Sequence, residues 1–308
     1  MNPSRFGSDN GGSDPDALFL EVFAGEVLTA FLAANKFLDK HTVRTIESGK
    51  SAQFPVTGQG DSHYHTPGTL LTGTAVPSSQ RIITIDDLLV ADRFIASIDE
   101  AKSHFDIRSI YSRDIGYQLA KTFDQNVAQV MALAARASST ITGGNGGSQI
   151  TDAAMSTDIT KVIAAAFTAQ QKLDEKAVPE GDRYIFVSPA TYYALINSGA
   201  NVTNRLYSDA SNADLSKGFM YEIAGLQIVK TNHLPTTNIT SGPTAYQGDF
   251  TKTVAIVSHP TAVGTVKLMD LAVEMEYLIQ YQGTLSVAKF AMGHGILRPE
   301  SAIEIANS

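Results

Sequence analysis

The sequence predicts an α+β protein, and three observations carry that prediction. One helical hydrophobic stripe runs without a breaker from Ser112 to Ser138. Two long strand-like runs, Leu268 to Met275 and Leu285 to Met292, flank Gly283 near the end of the chain. Helical and strand segments are mixed without regular alternation, which disfavours a repeating βαβ architecture. With 308 residues, 43% hydrophobic and 18% charged, the chain is long enough for one large or two modest domains.

Met1 to Asp16 is rich in Gly, Ser, Asn and Asp and reads as a mobile, slightly acidic tail. Leu18, Leu20, Val22, Phe23, Val27, Leu28, Phe31, Leu32 and Phe37 then make an apolar helical face, with Asp16 as its cap. Such a tethered amphipathic helix docks on its own body or on a neighbour. Ser51 to Ile85 has Pro55, Pro67 and Pro77 and no helical period. Alternation at Ala52, Phe54 and Val56, and again at Ile83 and Ile85, predicts two ribbon strands joined by an irregular tip. About 17 residues a side at ~3.3 Å each would reach some 56 Å at most. A two-stranded ribbon is not stable alone, so the segment is an arm completed on another subunit or a lid folded over its own domain.

Asp86 to Asp106 shows helical spacing at Leu88, Leu89, Phe94, Ile95 and Ile98. It leads into the long helix, whose stripe is Ile115, Leu119, Phe123, Val127, Val130, Met131 and Ala134, with Ser112 as N-cap and Asp114 in the first turn. At ~1.5 Å per residue this rod is roughly 39 Å long, twice the radius of gyration of about 19 Å for a compact chain of this length. It therefore reads as a spine. Thr142 to Ser148 (TGGNGGS) reads as a flexible link or turn. Thr157 to Ala177 is a helix with Ile159, Val162, Ile163, Ala166, Phe167 and Leu173 on one face. A strand at Tyr184 to Val187 follows, then a helix with Ser188 as cap, Pro189 at its first position and Gly199 as its stop. Leu226 to Lys230 and Thr253 to Val257 are buried strands separated by turn-rich sequence.

Catalytic and ligand motifs are missing or fail. A net charge of −8 from 31 acidic and 23 basic side chains disfavours a surface that grips phosphate backbones. There is no cysteine, which removes thiolate nucleophiles, disulfides and zinc–thiolate sites. Gly49-Lys50-Ser51 imitates the end of a phosphate loop, but the glycine required five residues earlier is Arg44. His63 and His65 could share a strand face as metal ligands, with Asp61 nearby, yet no third ligand adjoins them. His294, between two glycines, reads as a packed or hydrogen-bonded residue. No apolar run approaches the ~20 residues of a membrane span, and no cofactor is implied.

Six stretches carry a resemblance to a known family: GKSAQFPVTGQ (Gly49 to Gln59), TIDDLL (Thr84 to Leu89), DEAKSHFDIRS (Asp99 to Ser109), GLQIVKTNHLP (Gly225 to Pro235), AVGTVKLMDLAVE (Ala262 to Glu274) and AKFAMGHGILRPESA (Ala288 to Ala302). In these the chain resembles the major capsid proteins of T7-like podoviruses, members of the HK97-like capsid fold. The resemblance implies an N-terminal arm (1–44), an extended loop (45–85), a peripheral domain (86–152 and 267–292) and an axial domain (153–266 and 293–308). It also implies a non-enzymatic subunit whose partners are other copies of itself in hexamers and pentamers, a scaffolding protein, a portal protein at one vertex, a decoration protein and enclosed double-stranded DNA held without specific binding. Its place would be the virion, after assembly in the cytoplasm of a bacterial host. On this reading Phe54, Tyr64, Leu70 and Leu71 are apolar anchors of the loop on a neighbour, with Lys50 and Arg81 as charge partners. An encapsulin-type compartment of the same fold and a soluble hydrolase with a long lid are the alternatives.

Overall fold

The computed structural model describes residues 17–58, 60, 62–71, 73, 75–102, 107–198, 213–214 and 219–308. In chain order the elements are α1 (Ala17–Ala34), β1 (Thr42–Thr45), β2 (Ser51–Thr57), β3 (Ser78–Thr84), β4 (Leu89–Ala96), α2 (Ser97–Lys102), α3 (Ile107–Arg136), β5 (Ser148–Thr151), α4 (Ile159–Glu175), β6 (Tyr184–Val187) and α5 (Pro189–Asn197). The short pairs β7 (Ala213–Asp214) with β8 (Phe219–Met220) and β11 (Asn238–Ile239) with β12 (Gly248–Asp249) sit among β9 (Glu222–Ile223), β10 (Leu226–Lys230), β13 (Thr253–Ser258), β14 (Val263–Leu278), β15 (Gly283–Ile296) and β16 (Ala302–Ala306). The chain divides into two compact units.

The first unit holds 1–35, 87–123 and 269–291. Here β15 pairs antiparallel with β4 from Gly283↔Ala96 to Phe290↔Leu89. Helical spacing over Asp86 to Asp106 is therefore overturned for most of its length. Along β4 exposure alternates, with Val90 and Phe94 outward and Ile95 buried. Pairing with β15 over eight positions outweighs a weak local period. Among the described residues of this segment, Ser97–Lys102 is the helical part. The spine helix is longer than its stripe predicts, 30 residues starting at Ile107. Ser112 is consequently not its cap but a buried residue inside it, with its hydroxyl 2.5 Å from Glu26 Oε2. Helix α1 docks on this same body. A Cβ at Gly116 of α3 would lie 2.5 Å from Val27 O and 2.8 Å from Ala30 Cβ, so glycine is what lets the two helices touch. Phe31 meets Phe123 and Phe290 edge to face, at 6.1 Å each. The apolar face of α1 is narrower than the sequence predicts: Phe23, Val27 and Phe31 are buried, while Val22, Leu28 and Leu32 are exposed. Asp16 lies outside the described residues.

The second unit holds 36–86, 124–268 and 292–308. Its main sheet has the order β5-β16-β13-β6-β10-β9, with β13 antiparallel to both β6 and β16 and with β10 parallel to β6. Every residue of β6 and β16 is buried, which explains why they read as continuous apolar runs. Helix α4 starts at its cap Asp158 and α5 at Ser188, whose Oγ accepts from Thr191 N with Pro189 in the first turn. The side of α4 that is buried is Val162, Ala165, Ala166, Ala169 and Leu173. Phe167 is exposed, a correction to its predicted place, because the three alanines allow close approach and turn the contact stripe toward them. Gly199 lies outside the described residues. The TGGNGGS stretch is pinned as well as turned: Gly147 N donates to Ala137 O at 2.9 Å, and a Cβ on Gly147 would collide with the carbonyls of Ala134 and Ala135.

Candidate assembly surfaces

The ribbon predicted from Ser51 to Ile85 is present as an isolated two-stranded sheet, β2 against β3, in register from Ser51↔Thr84 to Thr57↔Ser78. Each strand has seven residues, so the paired part spans about 24 Å at ~3.4 Å per residue. The pairing thus takes in seven of the roughly seventeen residues a side that the sequence allots to the segment. The described residues between 58 and 77 form no strand.

The ribbon is seated by a small cluster, Ala52 and Ile83 against Val266 and Leu297, with Ile46, Phe54 and Ile85 around it. Glycines make room for it. A Cβ at Gly295 would stand 2.8 Å from Ile83 Cγ1, one at Gly264 would stand 3.1 Å from Ile83 Cδ1, and one at Gly293 would overlap the backbone of Thr84. The Gly293-His294-Gly295 run is thus a socket for the returning strand of the ribbon.

The predicted loop residues divide into two groups. Tyr64 (103% exposed), Leu70 (88%) and Leu71 (65%) lie bare along the tip, and Lys50 is exposed at the root. Phe54 is half-buried under the Arg44 guanidinium at 5.6 Å, and Arg44 Nη1 donates to Gln53 O at 2.9 Å. Arg81 Nε donates to Thr140 Oγ1 at 3.0 Å. Phe54 and Arg81 therefore have partners within the chain that the sequence did not reveal. A groove of about 330 Å3 follows the ribbon, lined among others by Val56, Gly58, Pro77, Thr142, Lys176 and Arg298. His63 and His65 are exposed, Asp61 lies outside the described residues, and among the described residues no three His, Cys, Asp or Glu side chains cluster as metal ligands would.

Along the spine, Ile115, Leu119, Phe123, Val127, Val130, Met131 and Ala134 are all buried. Sequence reasoning missed the polar groups on the same helix. Asp124, fully buried, accepts from Lys36 N at 2.9 Å and Phe37 N at 3.3 Å and pairs with His233 Nδ1 at 2.8 Å. Phe37 itself stacks on Phe186 at 4.4 Å. Arg136, in the last turn, clamps Glu304 of β16 with two bonds, Nε to Oε2 at 2.7 Å and Nη2 to Oε1 at 2.6 Å. Thr253 and Gln149 also donate to that carboxylate. Burial pushes the Glu304 carboxyl up, but these donors outweigh it and hold the group below the usual carboxylate range. The Glu304 bonds raise the pKa of Arg136 in turn. A charge inside an apolar strand such as AIEIA is the one signal that could have pointed to this pair.

A second row joins the segment after α1 to both long strands. His41 Nδ1 is 2.7 Å from Phe37 O, His41 Nε2 is 2.7 Å from Thr265 Oγ1, and Thr265 Oγ1 is 2.8 Å from His294 Nδ1. All three side chains are buried. Desolvation lowers His41 to about 4 against the pull of the Phe37 carbonyl and of Asp124 and Asp39. Desolvation and the neighbouring His41 lower His294 to about 3. Both rings are therefore neutral at pH 7. The protons can then be placed: Phe37 O only accepts, so His41 Nδ1 carries its proton, Thr265 donates to His41 Nε2, and His294 Nδ1 donates to Thr265. Tyr246 donates to Asp86 and accepts from His294 N at 3.1 Å. Burial, then the Asp86 bond, raises its phenol. His294 is hydrogen-bonded rather than a general base.

Comparison with known proteins agrees with this architecture. A family profile described as "Gp10A-like: Major capsid protein" matches residues 53–306. The chain is 35% identical to the major capsid protein of Escherichia phage T7, over 94% of this chain and 91% of that one. It is 33% identical to that of Enterobacteria phage T3, over 96% and 93%. Among solved structures it superposes on the capsid of cyanophage P-SCSP1u with a TM-score of 0.80 and 41% identity, covering 100% of this chain and 99% of that one. The fold is the HK97-like capsid fold, and the profile, both relatives and this structure lie on the phage side of the two shell readings rather than the compartment side. The chain belongs to the family of phage major capsid proteins.

Proposed function

We propose that the chain works mechanically, as the repeating wall unit of a closed icosahedral phage shell in which each copy is made rigid by limbs laid across identical neighbours. The observation that supports this most is the ribbon. Two seven-residue strands that among the described residues pair only with each other are seated at their root on Val266 and Leu297 but lead out to bare Tyr64, Leu70 and Leu71, and two strands alone are marginal in water. Lys50, Tyr64, Leu70 and Leu71 are the residues offered to a neighbour, while Phe54 and Arg81 brace the ribbon from within.

On this reading the four parts are arm (1–44), extended loop (45–85), peripheral domain (86–152 and 267–292) and axial domain (153–266 and 293–308). The copies meet as hexamers and pentamers. Each contact can be weak, because ordering a subunit at one contact raises its effective concentration at the next. A scaffolding protein, a portal protein and a decoration protein complete the partners, and the shell is assembled in the host cytoplasm. An acidic balance, 31 acidic against 23 basic side chains, keeps enclosed double-stranded DNA from adhering to the wall. The function is structural and no reaction is assigned to it.

The test is deletion of Asp61 to Val76. It should give a folded, soluble subunit whose closed shells are lost; normal particles from the deletion would contradict the reading.

A further inference from the structure

Residues 36–41, β14 and β15 meet at one buried point in a row of three side chains ending on the Phe37 carbonyl, and two of the three side chains are histidines. We propose that His41, Thr265 and His294 form a proton-controlled latch: closed while both rings are neutral, and opened when either takes up a second proton, freeing the segment that leads from α1 into β1.

The geometry makes the row intolerant of an added proton. With Phe37 O as the terminal acceptor at 2.7 Å, each hydrogen along the row points the same way, from His294 to Thr265 to His41 to Phe37. A proton on His41 Nε2 would face Thr265 Oγ1, which already receives the His294 N–H. The hydroxyl would then meet two donors, and its own hydrogen would lose its acceptor. A proton on His294 would place a charge against a ring and a phenol in a site that buries it almost completely. Around the row, Asp124 on α3 and Asp39 on the same loop face His41. Tyr246 stands 5.8 Å from the His294 ring, and Asp86 is engaged by Tyr246. The carboxylates thus lie on the His41 side and behind the phenol.

What the latch holds is strand-like and short. β1 pairs with β14 over only four residues, Thr42↔Gly264 to Thr45↔Lys267, and all four β1 residues are exposed. Its further ties to that region are Thr42 N and Oγ1 on Pro260 O and Ile46 N on Lys267 O. On the opposite side of His294, Gly293 and Gly295 seat Thr84 and Ile83 of the ribbon, so opening at this point also reaches the ribbon root. This inference concerns one joint within the chain and does not depend on whether the chain closes into shells.

The sign follows from linkage. Both histidines have folded values depressed below the ordinary 6.5, to about 4 and about 3, so the joint is fully closed above about pH 6.5 and weakens as pH falls from there toward 4. Each histidine buried neutral makes the opening equilibrium about tenfold more favourable per pH unit inside that window, and the pair makes it about a hundredfold.

The experiment is amide hydrogen exchange on the full chain, corrected for the intrinsic pH dependence of exchange, following residues 41–46 between pH 7 and 5. Over this range the opening equilibrium of these amides in the natural protein should rise by a little under three powers of ten, nearly all of it below pH 6.5, and His41→Gln or His294→Asn should each remove about half of that rise. Asn keeps a donor at the position of Nδ1, and Gln keeps an acceptor at the position of Nε2. Thr265→Val serves as the structural control, because it loosens the joint at every pH while leaving both histidines in place. A pH dependence in these amides that is the same in the natural protein and in both histidine variants would overturn the latch. So would the absence of any pH dependence.

Discussion

Glu304 has no exposed side-chain surface and yet is charged, a state that costs several kcal/mol per ion unless it is answered. Arg136, Thr253 and Gln149 answer it. Removing the carboxylate strands a guanidinium, so Glu304→Ala should destabilise the unassembled subunit by roughly 3 to 5 kcal/mol, read from urea unfolding. Because its folded pKa is lowered, the stability from this group is present above its ordinary unfolded value and is lost as pH falls through the lowered one. A change in the other direction is available at Ala177. It closes α4 in a Schellman turn, with Ala177 N on Asp174 O and Val178 N on Leu173 O, and pays for a left-handed φ of 54°. Ala177→Gly should raise stability by about 1 kcal/mol, measured as a shift in the urea midpoint at constant slope; an unchanged midpoint would show that the turn is not strained.

At the scale of elements, α3 is held by a buried apolar stripe along its length and by polar contacts beside it. In the first unit Phe123 packs against Phe31 and Phe290, beside the polar contacts of Ser112 with Glu26 and Asp114 with Arg93. Leu119→Ala or Phe123→Ala should therefore cost roughly 2 to 5 kcal/mol as buried large-to-small changes, and thermal unfolding that does not move would mean that the stripe is not buried as described. Gly116→Val should undo the seat of α1, since even a Cβ there meets Val27 O and Ala30. Limited proteolysis between α1 and β1 would report it as accelerated cleavage. Much of this was legible beforehand. The stripe from Ile115 to Ala134, the caps Ser188 and Pro189, the ribbon alternation and the buried strands are local patterns, and local patterns survive folding. What could not be read depends on distant partners. Leu89 to Ala96 becomes a strand because β15 runs beside it, Phe167 turns outward because alanines fit the sheet better, and Ser112 lies inside a helix that continues five residues upstream of it. The same holds for Arg81 and Phe54, whose partners Thr140 and Arg44 no spacing rule connects to them.

At the scale of the whole molecule, the chain belongs to the phage major capsid protein family, and its segments are fastened to one another at a few buried points. Three buried polar joints tie distant segments together: Asp124 with the segment after α1, Arg136 with β16, and the histidine row with β14 and β15. Exposed apolar groups lie on the ribbon tip (Leu70 and Leu71), on α1 (Val22, Leu28 and Leu32) and at the β14–β15 turn, where Ile279 and Tyr281 are exposed.

The most direct measurement is electron microscopy of the purified chain beside the chain lacking Asp61 to Val76, with sedimentation of both. The account predicts closed, uniform shells from the first and only small, folded species from the second. If the undeleted chain stays monomeric at high concentration, with its ribbon protected from proteolysis against its own body, the claim that identical neighbours make these limbs rigid is contradicted.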